Sequence, residues 1–145
     1  MRDLPRQLSV EELAELFEGR TLFVEQLAEL EDPLGNARAV AATLTDDERK
    51  EVLDAHPAIG APNLSGRSAA EQGEDDDPAV LAELAELNRT YEERFGFRFV
   101  VFVNRRPKHE LVPILRERLE RTHKQELDTA LDELIAIAED RWRQL

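Results

Sequence analysis

The chain of 145 residues carries a formal charge of −13, with 35% charged and 41% hydrophobic residues and no cysteine. That is the size of one domain around one core, and the acidity excludes nucleic acid or an anionic membrane as a partner, because phosphate would be repelled over most of the surface. The lack of cysteine excludes disulfides, thiolate nucleophiles and thiolate metal sites, and no apolar run approaches the ~20 residues of a transmembrane helix.

Helix signals dominate the reading in chain order. The amino terminus, MRDLPRQLSVEE, has no apolar stretch of the signal-peptide kind, so a cytoplasmic protein is expected. Ser9 and Glu12 have capping-box spacing ahead of Leu13, Leu16 and Phe17. Leu22, Phe23, Leu27 and Leu30 follow at helical spacing, and Pro33 marks a break or a first helical turn. Thr45 and Glu48 repeat the capping box and open a helix through Val52 and Leu53 that should stop before Pro57. From Pro57 to Asp77 the chain is rich in turn formers and acid, the longest break in the periodicity.

Asp77-Pro78 starts a second helical half, in which Leu81, Leu84, Ala85, Asn88, Tyr91 and Phe95 advance by three and four residues before Gly96, a C-terminal cap. Phe97 to Val103 dissents, since its β-branched and aromatic content reads as a strand. A lone strand would leave its backbone unpaired, so it is predicted to be a short buried extended segment with main-chain groups available to something else. Pro107 then precedes a helix with Leu111, Val112, Leu115 and Leu119 inward, where Pro113 must lie near the first turn or kink it. A last helix over about Gln125 to Arg143 places Leu127, Leu131, Leu134, Ala138 and Trp142 on one face. The predicted fold is an all-α single-domain bundle over residues 1–145 with one extended segment between helices.

Few side chains could carry chemistry. His109 and His123 are flanked by charge and read as surface residues. His56 shares the inward face of Val52 and Leu53 at a helix's last turn. It either satisfies the last carbonyls and the helix dipole or faces a site. Ser68 and Glu71 have capping-box spacing. On spacing alone a cap is the better reading, although little helix follows to be capped. Arg141 falls about 20° from Leu134 around the last helix, beside the apolar stripe, where a guanidinium either snorkels or meets an anion. No pattern for a metal, a nucleotide phosphate or a serine nucleophile is present.

Taken in order, His56-Pro57-x-Ile59-Gly60, Ser68-x-x-Glu71-Gln72 and Leu87-Asn88-x-x-Tyr91-x-x-Arg94-Phe95-Gly96-Phe97-x-Phe99-Val100-Val101 resemble the 2-oxo-4-hydroxy-4-carboxy-5-ureidoimidazoline (OHCU) decarboxylases of urate degradation. The closing pattern Arg118-Leu119, Glu126-Leu127, Ala130, Ile137 and Arg141 is similar to that family's last two helices. The resemblance spans most of the chain and is dense from His56 to Val101.

It implies an all-α fold with no metal or organic cofactor, a ureidoimidazoline substrate, loss of CO₂ from C4, and stereospecific protonation to (S)-allantoin. By the same resemblance His56 is the catalytic acid/base, Glu71 the carboxylate beside it, and Arg141 the arginine that contacts substrate from the last helix. Pro57, Ser68 and Gln72 match substrate-contacting positions, and Phe99, Val100 and Val101 match an extended segment whose main chain binds the ureide. Such a histidine would donate a proton near neutral pH. A homodimer is left open. The alternative is a non-catalytic helical homologue that binds ureides or serves as a scaffold. The joint presence of His56, Glu71 and Arg141 separates the two, because a scaffold has no need to combine them.

Overall fold

A computed structural model describes residues 7–56 and 77–144. Its helices are α1 (Val10–Phe17), α2 (Leu22–Leu27), α3 (Ala37–Thr43), α4 (Asp46–Asp54), α5 (Pro78–Phe95), α6 (Lys108–Leu119) and α7 (His123–Gln144). Among the described residues there is no strand, as the three-four spacing predicts.

The two predicted capping boxes that fall on described residues form. Ser9 Oγ accepts from the Glu12 N–H and Glu12 Oε1 from the Ser9 N–H, each at 3.1 Å. Thr45 and Glu48 do the same at 3.2 and 2.8 Å. Asp77, with Pro78 at the first helical position, caps α5 by accepting from the Ala79 N–H at 2.9 Å. Gly96 closes α5 at φ 79°, where a side chain would be strained, and its N–H reaches Glu92 O at 2.8 Å.

The differences from the sequence reading have local causes. Helix α3 escaped it because its apolar face is mostly alanine and Asn36 makes no side-chain cap. α2 ends at Leu27, leaving Leu30 half-buried in the turns that follow. α7 begins at His123, two residues before the predicted start. Thr122 and Gln125 form a reciprocal cap at 3.1 and 3.0 Å, the glutamine version of the capping box. Ala85 faces solvent, since the buried seam of α5 is the narrower Leu84, Asn88, Tyr91 and Phe95. Along α6 the step of three from Leu115 buries Arg118, while Leu119 is half-buried. Pro113 lies in the second turn of α6 on its exposed face, where the carbonyl deprived of a donor can turn to water.

Helix α7 is the axis, touched by α1, α3 and α4, while α5 packs along α6. Trp142, Tyr91, Phe17, Phe23, Phe97 and Phe99 are the largest side chains sealed in the shared core. The chain between α5 and α6 is extended and buried, with Phe97, Phe99, Val100, Val101 and Val103 all inside. It thus lies where the termini of α4, α5 and α7 can meet it.

Candidate active site

His56 follows the last turn of α4, and its N–H bonds Leu53 O at 3.2 Å. It is 4% exposed, and Nε2 is enclosed with no hydrogen-bond partner among the described residues. No hydrogen bond joins the imidazole to the last-turn carbonyls, so the capping alternative fails. Arg98 secures this end of the chain instead, because its Nη1 donates to His56 O and its Nε bonds Glu92 Oε1 at 3.0 Å. The Arg98 N–H also donates to Asp54 Oδ1 at 3.0 Å. Two contacts therefore tie the extended segment to the end of α4.

Arg141, on α7, is 3% exposed and does not snorkel. It meets an anion, and the anion is internal: Nη2 lies 3.0 Å from Glu18 Oε1, while Nη1 donates to Leu16 O at 3.0 Å. The sequence reading missed Glu18. It caps α1 in the left-handed region at φ 64°, an uncommon conformation for a residue with a side chain. The signal available was a glutamate in the slot just after a helix, directly before Gly19, where glycine is the usual occupant.

These charges set the protonation of His56. Burial is the largest influence, and the Arg141 guanidinium adds to it, with Glu18 opposing and Arg98 adding a smaller push. Together they bring the imidazole pKa down from 6.5 to about 4. At neutral pH the imidazole is therefore neutral. A neutral ring beside a fixed guanidinium can accept a proton and return it, while the guanidinium holds negative charge close by.

A second buried polar cluster flanks the segment. Glu126 Oε1 accepts from Tyr91 Oη at 2.6 Å and from Arg118 Nε at 2.7 Å, and Oε2 accepts from Arg121 Nη1 at 3.1 Å. Burial, then donation to Glu126, hold the Tyr91 hydroxyl protonated well above the ordinary tyrosine range. Arg118 Nη1 donates to the Val100 carbonyl at 2.8 Å. By contrast, the main-chain N–H groups of Phe99, Val100 and Val101 donate to no partner among the described residues. The sequence reading left Arg118 and Glu126 as parts of a pattern only. Their positions beside Leu115 and Leu127 on apolar stripes were the clue.

The structure thus brings together His56, Arg141 and, unforeseen, Glu18, and sets Arg98 against the end of α4. Pro57, Ser68, Glu71 and Gln72 lie outside the described residues. His109 and His123 are exposed, as expected. Among the described residues no group of three or more His, Asp or Glu side chains could hold a metal ion. The open groove along α3, α4 and α7 contains none of these side chains. Its arginines are engaged, Arg38 by Asp132 and Glu139, Arg49 by the Ala41 and Ala42 carbonyls.

Comparison with known proteins gives the context. The family model described as OHCU decarboxylase matches residues 2–143. The 2-oxo-4-hydroxy-4-carboxy-5-ureidoimidazoline decarboxylase of Haloferax volcanii is 33% identical over 100 residues, 66% of this chain and 60% of that protein. The uric acid degradation bifunctional protein of Bacillus sp. (strain TB-90) is 30% identical over 114 residues, 73% of this chain and 22% of that protein. The chain thus spans less than two thirds of either relative. A crystal structure of OHCU decarboxylase in the presence of (S)-allantoin superposes with a TM-score of 0.71 at 28% identity, covering 82% of this chain and 86% of that one. The chain belongs to the OHCU decarboxylase family.

Proposed function

We propose that the chain decarboxylates OHCU to (S)-allantoin in urate degradation, with side chains alone and no cofactor. The observation that carries this reading is His56, sealed in the core with Nε2 unpartnered among the described residues and within the electrostatic influence of Arg141, a guanidinium paired with Glu18. A buried polar atom without a partner is costly and calls for an explanation. A scaffold offers none, whereas a catalyst needs an imidazole free to bond its substrate. Family membership and the (S)-allantoin in whose presence the related crystal structure was obtained support the same substrate class.

The chemistry suits the site. Departure of CO₂ from C4 leaves an electron pair that passes toward the adjacent ring C=N, whose nitrogen takes a proton from solvent. The resulting enol becomes a ketone when the C4 hydroxyl gives up a proton and C5 receives one on a single face. A neutral His56 is suited to take the C4 hydroxyl proton and return it at C5, so its low pKa is no obstacle. Negative charge on the substrate raises that pKa once bound. In this reading Glu71 aligns the imidazole, Arg141 orients the carboxylate-bearing ring, and Pro57, Ser68 and Gln72 complete the contacts. The main chain of Phe99, Val100 and Val101 binds the ureide. A cytoplasmic location fits, and no helix among the described residues is long and apolar enough to cross a membrane.

The test uses substrate generated in situ from urate, followed by optical activity with and without a chelator. The expected result is faster appearance of one allantoin enantiomer, unchanged by chelation. If optical activity rises no faster than in the spontaneous reaction, the proposal fails.

A further inference from the structure

Arg118 makes two attachments to one stretch of chain. Its guanidinium lies over the Phe99 ring, 4.6 Å from the centroid, and Nη1 donates to the Val100 carbonyl at 2.8 Å. It is held there from behind by Glu126, itself fully enclosed and bonded to Tyr91 and Arg121. Arg118 Nη2 is enclosed as well, with no hydrogen-bond partner among the described residues. A merely architectural role accounts poorly for this, because apolar side chains of similar volume would fill the space without an orphaned donor.

The segment it grips has no ladder to orient its peptide planes. In a planar trans peptide the C=O of one residue and the N–H of the next point in opposite directions. Drawing the Val100 carbonyl toward Arg118 therefore turns the Val101 N–H away from the Tyr91–Arg118–Glu126 network. Arg98 fixes the start of the same segment against His56 O.

We infer that Arg118 is a positioning residue: clamped by Glu126, it sets the Val100–Val101 peptide so that the Val101 N–H is presented to the ureide group of the substrate. The inference rests on the decarboxylase reading for its ligand. Tyr91 and Glu126 act through Arg118 and touch no substrate.

The test compares wild type with Arg118→Lys. Lysine keeps a charge for Glu126 but has one nitrogen where arginine uses two, so the Val100 carbonyl loses its donor. Per folded molecule, KM should rise about tenfold or more while kcat stays nearly unchanged, since the acid/base group is intact. Should Arg118→Lys fail to fold, the triple variant Tyr91→Phe, Arg118→Met, Glu126→Leu replaces the network with apolar groups that leave no buried charge. It should show the same rise in KM. A wild-type KM in either folded variant overturns the positioning role and leaves the reaction in place. If wild type itself proves inactive, the decarboxylase reading fails, and (S)-allantoin becomes the probe. A chemical-shift change at the Val101 amide on adding (S)-allantoin, lost in the variants, still supports positioning. A shift that persists in them, or no shift in wild type, overturns it.

Discussion

Glu126 and His56 are both sealed polar groups beside the same extended segment, and the chain treats them in opposite ways. Glu126 has donors on both oxygens, from Tyr91, Arg118 and Arg121. His56 has an enclosed Nε2 with no hydrogen-bond partner among the described residues, and a positive neighbour, Arg141, that lowers its affinity for a proton. The first arrangement offsets desolvation with hydrogen bonds and so holds Arg118 and the neighbouring chain in place. The second leaves desolvation uncompensated and gains nothing for stability. Burial alone does not separate a structural polar group from a working one; the state of its hydrogen bonds does.

The two regions respond differently to change. Glu126→Ala strands Arg118 as a buried charge and should cost about 3–5 kcal/mol of stability, seen as a lower midpoint in denaturant. A midpoint within experimental error of wild type would break the contrast at its structural end. The pH response belongs to His56. Its folded pKa of about 4 lies below the unfolded 6.5, so between those values the unfolded chain binds more protons. Stability is therefore greatest above about pH 6.5, where the imidazole is neutral in both states, and it falls as pH drops toward 4. The loss attributable to this residue is roughly 3 kcal/mol. Wild type should therefore show a steeper decline across that window than His56→Asn; parallel curves would contradict the buried neutral imidazole. Glu18→Gln sharpens the comparison, since Arg141 then keeps Leu16 O but loses its carboxylate. It should lose roughly 2 kcal/mol in unfolding free energy, and an imidazole pKa read by NMR should fall further. Smallest of all, Thr122→Ala removes the cap of α7 far from His56 and should cost about 1 kcal/mol with turnover unchanged.

The helices were largely legible because caps and apolar spacing are local properties. Ser9, Thr45 and Gly96 announce their helix ends within four residues of sequence. α3 was not legible, because alanine carries little periodic contrast and Asn36 leaves no capping signature. Burial of Phe99, Val100 and Val101 could be read from composition, but the partner of the Val100 carbonyl could not, since Arg118 is 18 residues away. At the site, spacing placed His56 inward and Arg141 beside the stripe. It could not pair Arg141 with Glu18, because that contact joins the two ends of the described chain. Nor could it foresee the lowered pKa of His56, which depends on charges converging from α1, α7 and the extended segment. Periodicity reports which face a residue occupies, and only the assembled fold reports what else arrives there.

The central claim is that His56 acts on the substrate itself, while Glu126 acts only through the chain it holds in place. It is tested most directly by turnover per folded molecule in His56→Asn, beside a melting curve of the same preparation. Asparagine keeps a polar side chain of similar reach but cannot titrate. The melting temperature at neutral pH should hold while turnover falls by about 10²–10⁴-fold. Wild-type turnover in a folded His56→Asn protein would contradict it.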